Sequence, residues 1–364
     1  MNKTGFGFLR LPLLNPDDKK SVNYPYLEQL VDRFLALGGT YFDTAYTYEC
    51  SEESLRRTLV ERHPRQNYRI ANKLPGWKVK AYRDCQVFFN EQLERCGVTY
   101  FDVYLLHSLN KRYYEIAQNT DQFRFLRELK EQGLARAIGF SYHDSPELLD
   151  KILTEHPETE YVQLQINYLD WENPAIQAQR CYEVAMHHGK KVIVMEPVKG
   201  GNLVNLPEEA ASMLQSYHPQ WSAPSWAIRF AASLAGVDVV LSGMNTLEQI
   251  QDNLQDMNDL GQRDFFLLLQ AAQSIRSSTA VGCTGCGYCL EECPQSIPIP
   301  RMFTLYNEYA RYPSEDWKLK PAYSALLRDN APASACADCG CCEARCPQKL
   351  PIREFLKKVS GVFE

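Results

Sequence analysis

The sequence predicts an α/β protein, a (β/α)8 TIM barrel followed by a small, α-rich C-terminal domain. The chain has 364 residues, and nine of its 13 cysteines crowd between Cys283 and Cys346. Before residue 265, short apolar runs alternate with amphipathic stretches. One barrel of about 250 residues plus a small module would fill this length. We expect the barrel over residues 1–268 and the second domain over 269–364, with a helical insert at 297–332.

Eight runs rich in β-branched and aromatic residues are the strand candidates. In chain order they are residues 6–11, 40–45, 68–74, 101–107, 135–141, 161–167, 191–197 and 237–243. Amphipathic helical patterns separate them, and several of these end at Gly, as helix C-termini often do. Eight strands alternating with helices favour a barrel, with an open doubly wound sheet as the alternative. The first strand candidate is not followed by G-x-G-x-x-G, which counts against a Rossmann fold.

Polar residues recur at or just beyond the carboxyl ends of strands two to six. They are Asp43, Lys73, His107, Ser141, Gln163 and Asn167. The carboxyl ends of barrel strands meet at one mouth, where barrel enzymes carry their chemistry. Each residue alone has an ordinary structural explanation, but the series together predicts an active site at this mouth.

The cysteines form two runs with the same spacing, CTGCGYCLEECP at 283–294 and CADCGCCEARCP at 336–347. Paired C-x2-C units also suit a structural zinc ion. Zinc sites, however, usually separate two pairs by a long loop, whereas here three cysteines at x2 spacing precede x3-Cys-Pro. The spacing therefore favours iron–sulfur clusters over zinc.

This spacing resembles the bacterial dicluster ferredoxin domain, in which the fourth cysteine of each run binds the other cluster. The resemblance implies two [4Fe-4S] clusters. Their expected ligands are Cys283, Cys286, Cys289 and Cys346 for one cluster, and Cys336, Cys339, Cys342 and Cys293 for the other. Cys341 interrupts the x2 rhythm and competes with Cys342 as a ligand.

Three motifs in the barrel region carry a second resemblance. Asp43 and Tyr48 lie in FDTAYTYE, Lys73 lies in ANKLP and His107 lies in YLLHSL. In order and context these residues match the catalytic tetrad of the aldo-keto reductases. With the cysteine runs, the chain resembles aldo-keto reductases that carry a C-terminal 4Fe-4S dicluster domain. This implies an oxidoreductase that reduces a carbonyl, or oxidises an alcohol, at the barrel mouth.

The four side chains suit carbonyl reduction, in which carbon receives a hydride and oxygen receives a proton. A free tyrosine has a pKa of about 10. A Lys73 ammonium beside Tyr48 would favour the phenolate and bring the pKa of Tyr48 toward the working range. Asp43 would keep Lys73 charged and oriented, and His107 would donate a hydrogen bond to the carbonyl oxygen. We expect Tyr48 to be the acid/base.

The resemblance also implies a nicotinamide cofactor, NADH or NADPH. The residues that match its binding positions are Ser141, Gln163 and Asn253, and the loop after strand seven offers Lys199, Gly200 and Gly201 as a phosphate cradle. Two departures leave the choice of nucleotide open. Met195 matches a position that is aromatic in many family members, and no Lys or Arg lies between Arg229 and Arg263.

Composition limits the partners. A net charge of -6 at pH 7 argues against nucleic acid, and no apolar run approaches the roughly 18 residues of a membrane span. The N-terminal residues show no leader pattern, so we expect a cytoplasmic protein. The expected substrate is a small carbonyl or alcohol, and a redox partner protein is compatible with the clusters.

Electron counting leaves three hypotheses open. Clusters pass single electrons, whereas nicotinamide passes a hydride, and no motif identifies a flavin that would mediate. Clusters could exchange electrons with the barrel site, directly or through such a mediator. Alternatively, the clusters are structural or sensory and the barrel reduces carbonyls unaided. In the third hypothesis, the chain is an electron-transfer subunit with a non-catalytic barrel, although its complete tetrad speaks against this.

Overall fold

A computed structural model describes residues 3–16, 18–255, 260–311 and 316–364. The described residues form two compact units. The first unit is drawn from Met1–Glu172, Gln177–Pro197 and Pro224–Gly261, and the second from Asn173–Ile176, Val198–Ala223 and Gln262–Glu364. Residues 198–223, which lie between the seventh and eighth strands, therefore group with the cysteine-rich end of the chain.

The first unit is a closed barrel of eight parallel strands in sequential order, which confirms the predicted fold. The strands are β1 Thr4–Gly7, β2 Tyr41–Asp43, β3 Arg69–Leu74, β4 Phe101–Leu109, β5 Ala135–Tyr142, β6 Tyr161–Gln165, β7 Lys191–Met195 and β8 Val237–Ser242. β1 pairs with both β2 and β8, which closes the sheet. This strand lies earlier than predicted, because it ends at Gly7 and the FLRL run that follows is outside it, with Leu9 and Arg10 exposed.

Helices follow the strands. They are α1 Tyr24–Ala36, α2 Ser51–Leu55, α3 Tyr82–Cys96, α4 Lys111–Asn119, α5 Gln122–Glu131, α6 Pro146–Glu155, α7 Ala178–His187, α8 Glu208–Tyr217, α9 Ala223–Ser233, α10 Leu247–Asn253 and α11 Gln262–Ser278. The helices of the first unit supply the buried layer around its sheet with their apolar faces, as α1 does with Leu27, Leu30, Val31 and Phe34. Asn23 caps α1 by accepting a hydrogen bond from the backbone N–H of Tyr26.

The barrel interior is filled by side chains. Its apolar cluster comprises Tyr41, Ala71, Val103, Leu105, Tyr161, Ile193, Val239 and Leu241, all buried. A filled interior leaves no channel through the barrel, so chemistry must take place at the rim.

The second unit contains α8, α11 and five further helices, α12 Tyr288–Glu291, α13 Ile299–Arg311, α14 Asp316–Leu326, α15 Cys341–Arg345 and α16 Ile352–Phe363. The short helices α12 and α15 pack against each other. Each follows a glycine in the left-handed region, Gly287 at φ 84° and Gly340 at φ 75°. The two cysteine runs thus share one local conformation.

The cysteine runs lie in an apolar core of the second unit. Cys289 and Cys342 are buried there with Ile299, Phe303 and Leu356.

Among the helices in the described part of the chain, none combines the length and apolar character needed to cross a membrane.

Candidate active site and cluster sites

Lys73 and Asp43 form a buried ion pair at the barrel rim. Lys73, on β3, is fully buried, and its Nζ donates to Asp43 Oδ2 at 2.6 Å and to the Thr44 carbonyl at 2.8 Å. Burial lowers the pKa of Lys73, and the Asp43 carboxylate opposes this shift. Burial likewise raises the pKa of Asp43, which the Lys73 ammonium opposes. The pair is fixed in position because each partner is costly to bury without the other.

Tyr48 and His107 lie beside this pair. The Lys73 ammonium lies 5.0 Å from the centroid of the Tyr48 ring. The Tyr48 and His107 rings meet edge to face with centroids 5.8 Å apart. The ring centroids of Trp77 and His107 are 5.3 Å apart. The structure therefore brings the four predicted catalytic residues together.

The Tyr48 loop is held by local hydrogen bonds. The backbone N–H of Tyr48 donates to the Ala45 carbonyl, and the backbone N–H of Ser51 donates to the Tyr48 carbonyl. Across the same loop, the hydroxyl groups of Thr44 and Ser51 are 2.6 Å apart and hydrogen-bonded. These bonds fix the loop that carries Tyr48 between β2 and α2.

A bulge in β4 sets the position of His107. The pairing between β4 and β5 shifts register between Leu106 and Leu109, and Ser108 adopts a left-handed φ of 58°. Bulges of this kind redirect side chains at strand ends. The backbone N–H of Ser108 donates to Ser141 Oγ at 2.7 Å, so the bulge links His107 to the predicted cofactor residue Ser141.

The remaining rim residues differ in how their polar groups are used. Gln163 is paired in register with Ser141 and is buried. Its Nε2 lies 3.5 Å from the Met195 sulfur, whereas its Oε1 has no hydrogen-bond partner among the described residues.

The two asparagines predicted at the site are held by hydrogen bonds within the protein. Asn167 lies beyond β6, where its amide nitrogen donates to Asp170 and to the Glu196 carbonyl. On α10, Asn253 donates to Ser242 Oγ at 2.7 Å.

The loop with Lys199, Gly200 and Gly201 belongs to the second unit. There, Lys199 is buried and its ammonium donates to Gln348 Oε1 at 2.8 Å. Gly200 lies against the backbone of Thr284. The proposed role of this loop as a phosphate cradle stays a prediction, and its contacts show that it also packs against the cysteine runs.

A polar network supports β3 behind Lys73, and the sequence analysis missed it. Asn72 Oδ1 accepts from the backbone N–H of Lys73 at 2.8 Å, and Gln92 Nε2 donates to the Lys73 carbonyl at 3.1 Å. Both amides also donate to Glu52 Oε1. Burial raises the pKa of Glu52. This rise is opposed by hydrogen bonds to Asn72 and Gln92 and by the nearby guanidinium of Arg95. The available signal was Asn72 itself, a polar residue on the helix-facing side of a buried strand.

The cysteines line two cavities in the second unit. The first is lined by Cys283, Cys286, Cys289 and Cys346 together with residues such as Phe303, Ile352 and Gln348. The second is lined by Cys293, Cys336, Cys339 and Cys342 together with residues such as Ile299, Leu356 and Arg353. Each cavity thus takes three cysteines from one run and the fourth from the other. Cys342 is buried, whereas Cys341 is exposed.

Four thiols around a largely apolar volume fit an iron–sulfur cluster. In the first cavity, the backbone N–H of Gly285 points to the Cys283 sulfur at 3.4 Å, the kind of contact that tunes such clusters. Among the described residues, no group of three or more His, Cys, Asp or Glu side chains is arranged to hold a single metal ion.

Comparison with known proteins gives the family. Residues 5–266 match the model of the aldo/keto reductase family, and residues 282–350 match that of the 4Fe-4S dicluster domain. The chain therefore belongs to the aldo/keto reductase family of oxidoreductases, and it carries a 4Fe-4S dicluster domain in its C-terminal region.

Curated relatives include aldo-keto reductases from two mycobacteria. The Mycolicibacterium vanbaalenii protein is 26% identical over 231 residues, which are 62% of this chain and 76% of that protein. The Mycolicibacterium smegmatis protein is 30% identical over 132 residues, which are 35% of this chain and 45% of that protein. The chain thus spans less than half of the second relative.

Solved aldo-keto reductases share the fold. A holo form from Bacillus halodurans has a TM-score of 0.60 and 20% identity, covering 75% of this chain and 92% of that protein. A Klebsiella pneumoniae enzyme in complex with NADPH has a TM-score of 0.59 and 15% identity, covering 74% of this chain and 90% of its own. At these identities the likeness concerns the fold alone.

Proposed function

We propose that this protein reduces a carbonyl, or oxidises an alcohol, at the barrel mouth, with Tyr48 as the proton donor or acceptor. One observation carries the proposal. A buried Lys73–Asp43 pair 2.6 Å long lies with its ammonium 5.0 Å from the Tyr48 ring, and the His107 ring lies against the same tyrosine.

Each of these residues has a distinct part in the chemistry. When the carbonyl carbon gains a hydride, its oxygen becomes an alkoxide and takes the phenolic proton of Tyr48. The Lys73 ammonium favours the negative charge that Tyr48 then carries, and Asp43 keeps Lys73 in place. His107 donates to the substrate oxygen and holds it for the reaction. In alcohol oxidation the same proton moves in the opposite direction.

A nicotinamide cofactor supplies the hydride. Ser141 and Gln163 are the residues proposed to hold its carboxamide. Gln163 Oε1 is buried and has no hydrogen-bond partner among the described residues, so it is available to accept a hydrogen bond from the NH2 group of that carboxamide. Asn253 is proposed to lie on the adenine side of the nucleotide. The proposal covers NADH and NADPH alike, because no Lys or Arg follows β8 before Arg263.

Two [4Fe-4S] clusters are the proposed occupants of the cysteine cavities, and we propose that they exchange electrons with the barrel site. The ligand sets are Cys283, Cys286, Cys289 and Cys346 for the first, and Cys293, Cys336, Cys339 and Cys342 for the second. The crossed origin of each fourth cysteine supports this, since two-cluster ferredoxin-type runs share their ligands in this way.

Replacement of Tyr48 by Phe tests the catalytic part. We expect Tyr48→Phe to lower carbonyl turnover by roughly 10²–10⁴-fold, because it removes the proton donor and little volume. Turnover of a panel of aldehydes and ketones with NADH or NADPH measures this, and nucleotide binding should be retained. The matched control is Tyr46→Phe, two residues away, whose hydroxyl donates to Glu91 instead. Equal turnover in both variants would refute the assignment.

A further inference from the structure

The loop after β7 makes buried contacts with the first cysteine cavity. Lys199 is 5% exposed, and its ammonium donates to Gln348 Oε1 at 2.8 Å. Gln348 is itself 6% exposed and lines that cavity two residues beyond its ligand Cys346. A lysine charge is therefore held in a low-dielectric region beside the cavity wall, where charges act strongly on one another.

The same loop is fitted to the other side of the cavity. Asn202 Nδ2 donates to the Cys283 carbonyl at 2.9 Å. Gly200 has a φ of 65°, and a Cβ at this position would lie 2.3 Å from the Thr284 carbonyl oxygen. Only glycine fits at this position, and its lack of a side chain allows the loop to lie close to residues 283–284. It thus contacts both segments that supply ligands to this cavity.

We propose that Lys199 sets the reduction potential of the cluster held by Cys283, Cys286, Cys289 and Cys346, and that Gly200 and Asn202 fix the Cys283 segment. The inference rests on the clusters proposed above. Reduction adds one electron to the cluster and neither forms nor breaks a bond to the protein. A nearby ammonium stabilises the more negative, reduced state and so raises the potential, because cluster potentials follow local charge and hydrogen bonding.

The second cavity is lined by a different cation. Arg353 lines it and pairs with Glu343 at 2.9 Å and with Asp338 at 3.4 Å. Gln348, which accepts the hydrogen bond from the Lys199 ammonium, lines the first cavity. We therefore expect Lys199 to act on the cluster of the first cavity, and its replacement should leave the other cluster unchanged.

An anaerobic redox titration of the full chain, followed by electron paramagnetic resonance, tests this. We expect Lys199→Met to lower the midpoint of one cluster so that its reduced-to-oxidised ratio at fixed potential falls about tenfold, which is about 59 mV for one electron. The affected signal should be the one lost in Cys286→Ala. The matched control is Lys349→Met, which removes an exposed lysine next to Gln348 and should shift neither midpoint comparably.

Iron and sulfide analysis distinguishes the proposal that clusters are present from the proposal that Lys199 sets the potential of one of them. Wild-type protein without iron and sulfide would overturn the clusters themselves. Full clusters with unchanged midpoints in Lys199→Met would overturn only the role of Lys199. If Lys199→Met does not assemble, Gln348→Glu places a carboxylate in the same cavity wall and should lower the same midpoint. An unchanged midpoint in Gln348→Glu would also overturn the inference.

Discussion

A buried charge is costly unless it is paired, and at the barrel rim Lys73 is paired with Asp43. Both side chains are almost fully buried, and their charged atoms are 2.6 Å apart. Removal of one partner leaves the other charged and without its counter-ion, whereas removal of both charges does not. Each partner is therefore needed for stability while the other is charged, and the pair as a whole serves the proposed proton transfer.

Substitutions in this pair should affect the free energy of unfolding and the turnover differently. We expect Lys73→Met to lower the free energy of unfolding by about 3–5 kcal/mol, because Asp43 keeps a buried charge. The double variant Asp43→Asn with Lys73→Met should regain most of this stability without regaining turnover. Denaturant unfolding and carbonyl reduction assays on the same preparations measure the two effects. Equal stability of the single and double variants would contradict this.

Cys341 and Cys342 provide a second residue-scale prediction. Cys342 lines the second cavity, and Cys341 is exposed. We expect the Cys341→Ser protein to keep about eight iron atoms per chain, which corresponds to two clusters of four. The iron content of the Cys342→Ser protein should fall to about half of this. Iron and sulfide analysis under anaerobic conditions measures this. The reverse pattern would make Cys341 the ligand.

At the residue scale, strand-end position predicts that Asp43, Lys73 and His107 lie at the barrel mouth, whereas their catalytic roles are implied by the family resemblance. Tyr48 was different, since it lies in a loop and only the likeness of the FDTAYTYE motif marked it. Contacts such as that between Lys199 and Gln348 join residues 149 apart in the chain. Spacing carries no information about such contacts, so they were not predicted.

Two elements determine where the catalytic side chains lie. The β4 bulge turns the chain at Ser108, which carries a positive φ, and so sets the His107 ring beside Tyr48. Behind β3, helix α3 supplies Gln92, whose amide contacts the Lys73 carbonyl and whose Oε1 accepts from the Tyr104 hydroxyl at 2.6 Å. These features were not predicted, because a bulge and a buried amide network leave strand and helix patterns unchanged.

Gln92 is a positioning residue for β3, and its replacement tests the network. Gln92 Nε2 also donates to Asn72 Oδ1 at 2.6 Å. We expect Gln92→Leu to lower the free energy of unfolding by about 1–3 kcal/mol, because Asn72 Oδ1 and the Tyr104 hydroxyl lose a buried partner. It should also lower kcat while leaving the KM for nucleotide unchanged. The control on the same helix is Gln86→Leu, where the amide is exposed. Denaturant unfolding and steady-state kinetics measure both effects, and equal results for the two variants would remove Gln92 from this role.

At the scale of the whole molecule, a barrel of the aldo/keto reductase family and a 4Fe-4S dicluster domain occur in one chain. The order of strands and helices predicted the barrel, and the cysteine spacing predicted the dicluster domain, because both are repeating patterns. The grouping of residues 198–223 with the cysteine-rich unit was not apparent, since these residues lie between two barrel strands in the sequence. Which residues join a unit depends on long-range packing, as between α8 and α11.

Electron stoichiometry gives a prediction for the coupling of the two sites. One hydride carries two electrons, and two clusters accept one electron each. A single NADH or NADPH therefore holds enough electrons to reduce both clusters, with release of one proton, through a mediator such as a flavin that takes the hydride and passes single electrons. Under the proposed function, we expect about one equivalent of NADH or NADPH, added without oxygen, to bleach the broad visible absorbance of the clusters.

The controls distinguish coupling from a structural role of the clusters. Dithionite should bleach wild type and Tyr48→Phe alike, since it reduces clusters without the barrel site. Tyr48→Phe should also still respond to the nucleotide, because it lacks only the proton donor for the substrate oxygen. If the nucleotide leaves the absorbance unchanged while carbonyl reduction proceeds, the clusters do not exchange electrons with the barrel and serve a structural or sensory role. Flavin absorbance bands in the purified protein would identify the carrier that splits the hydride into single electrons.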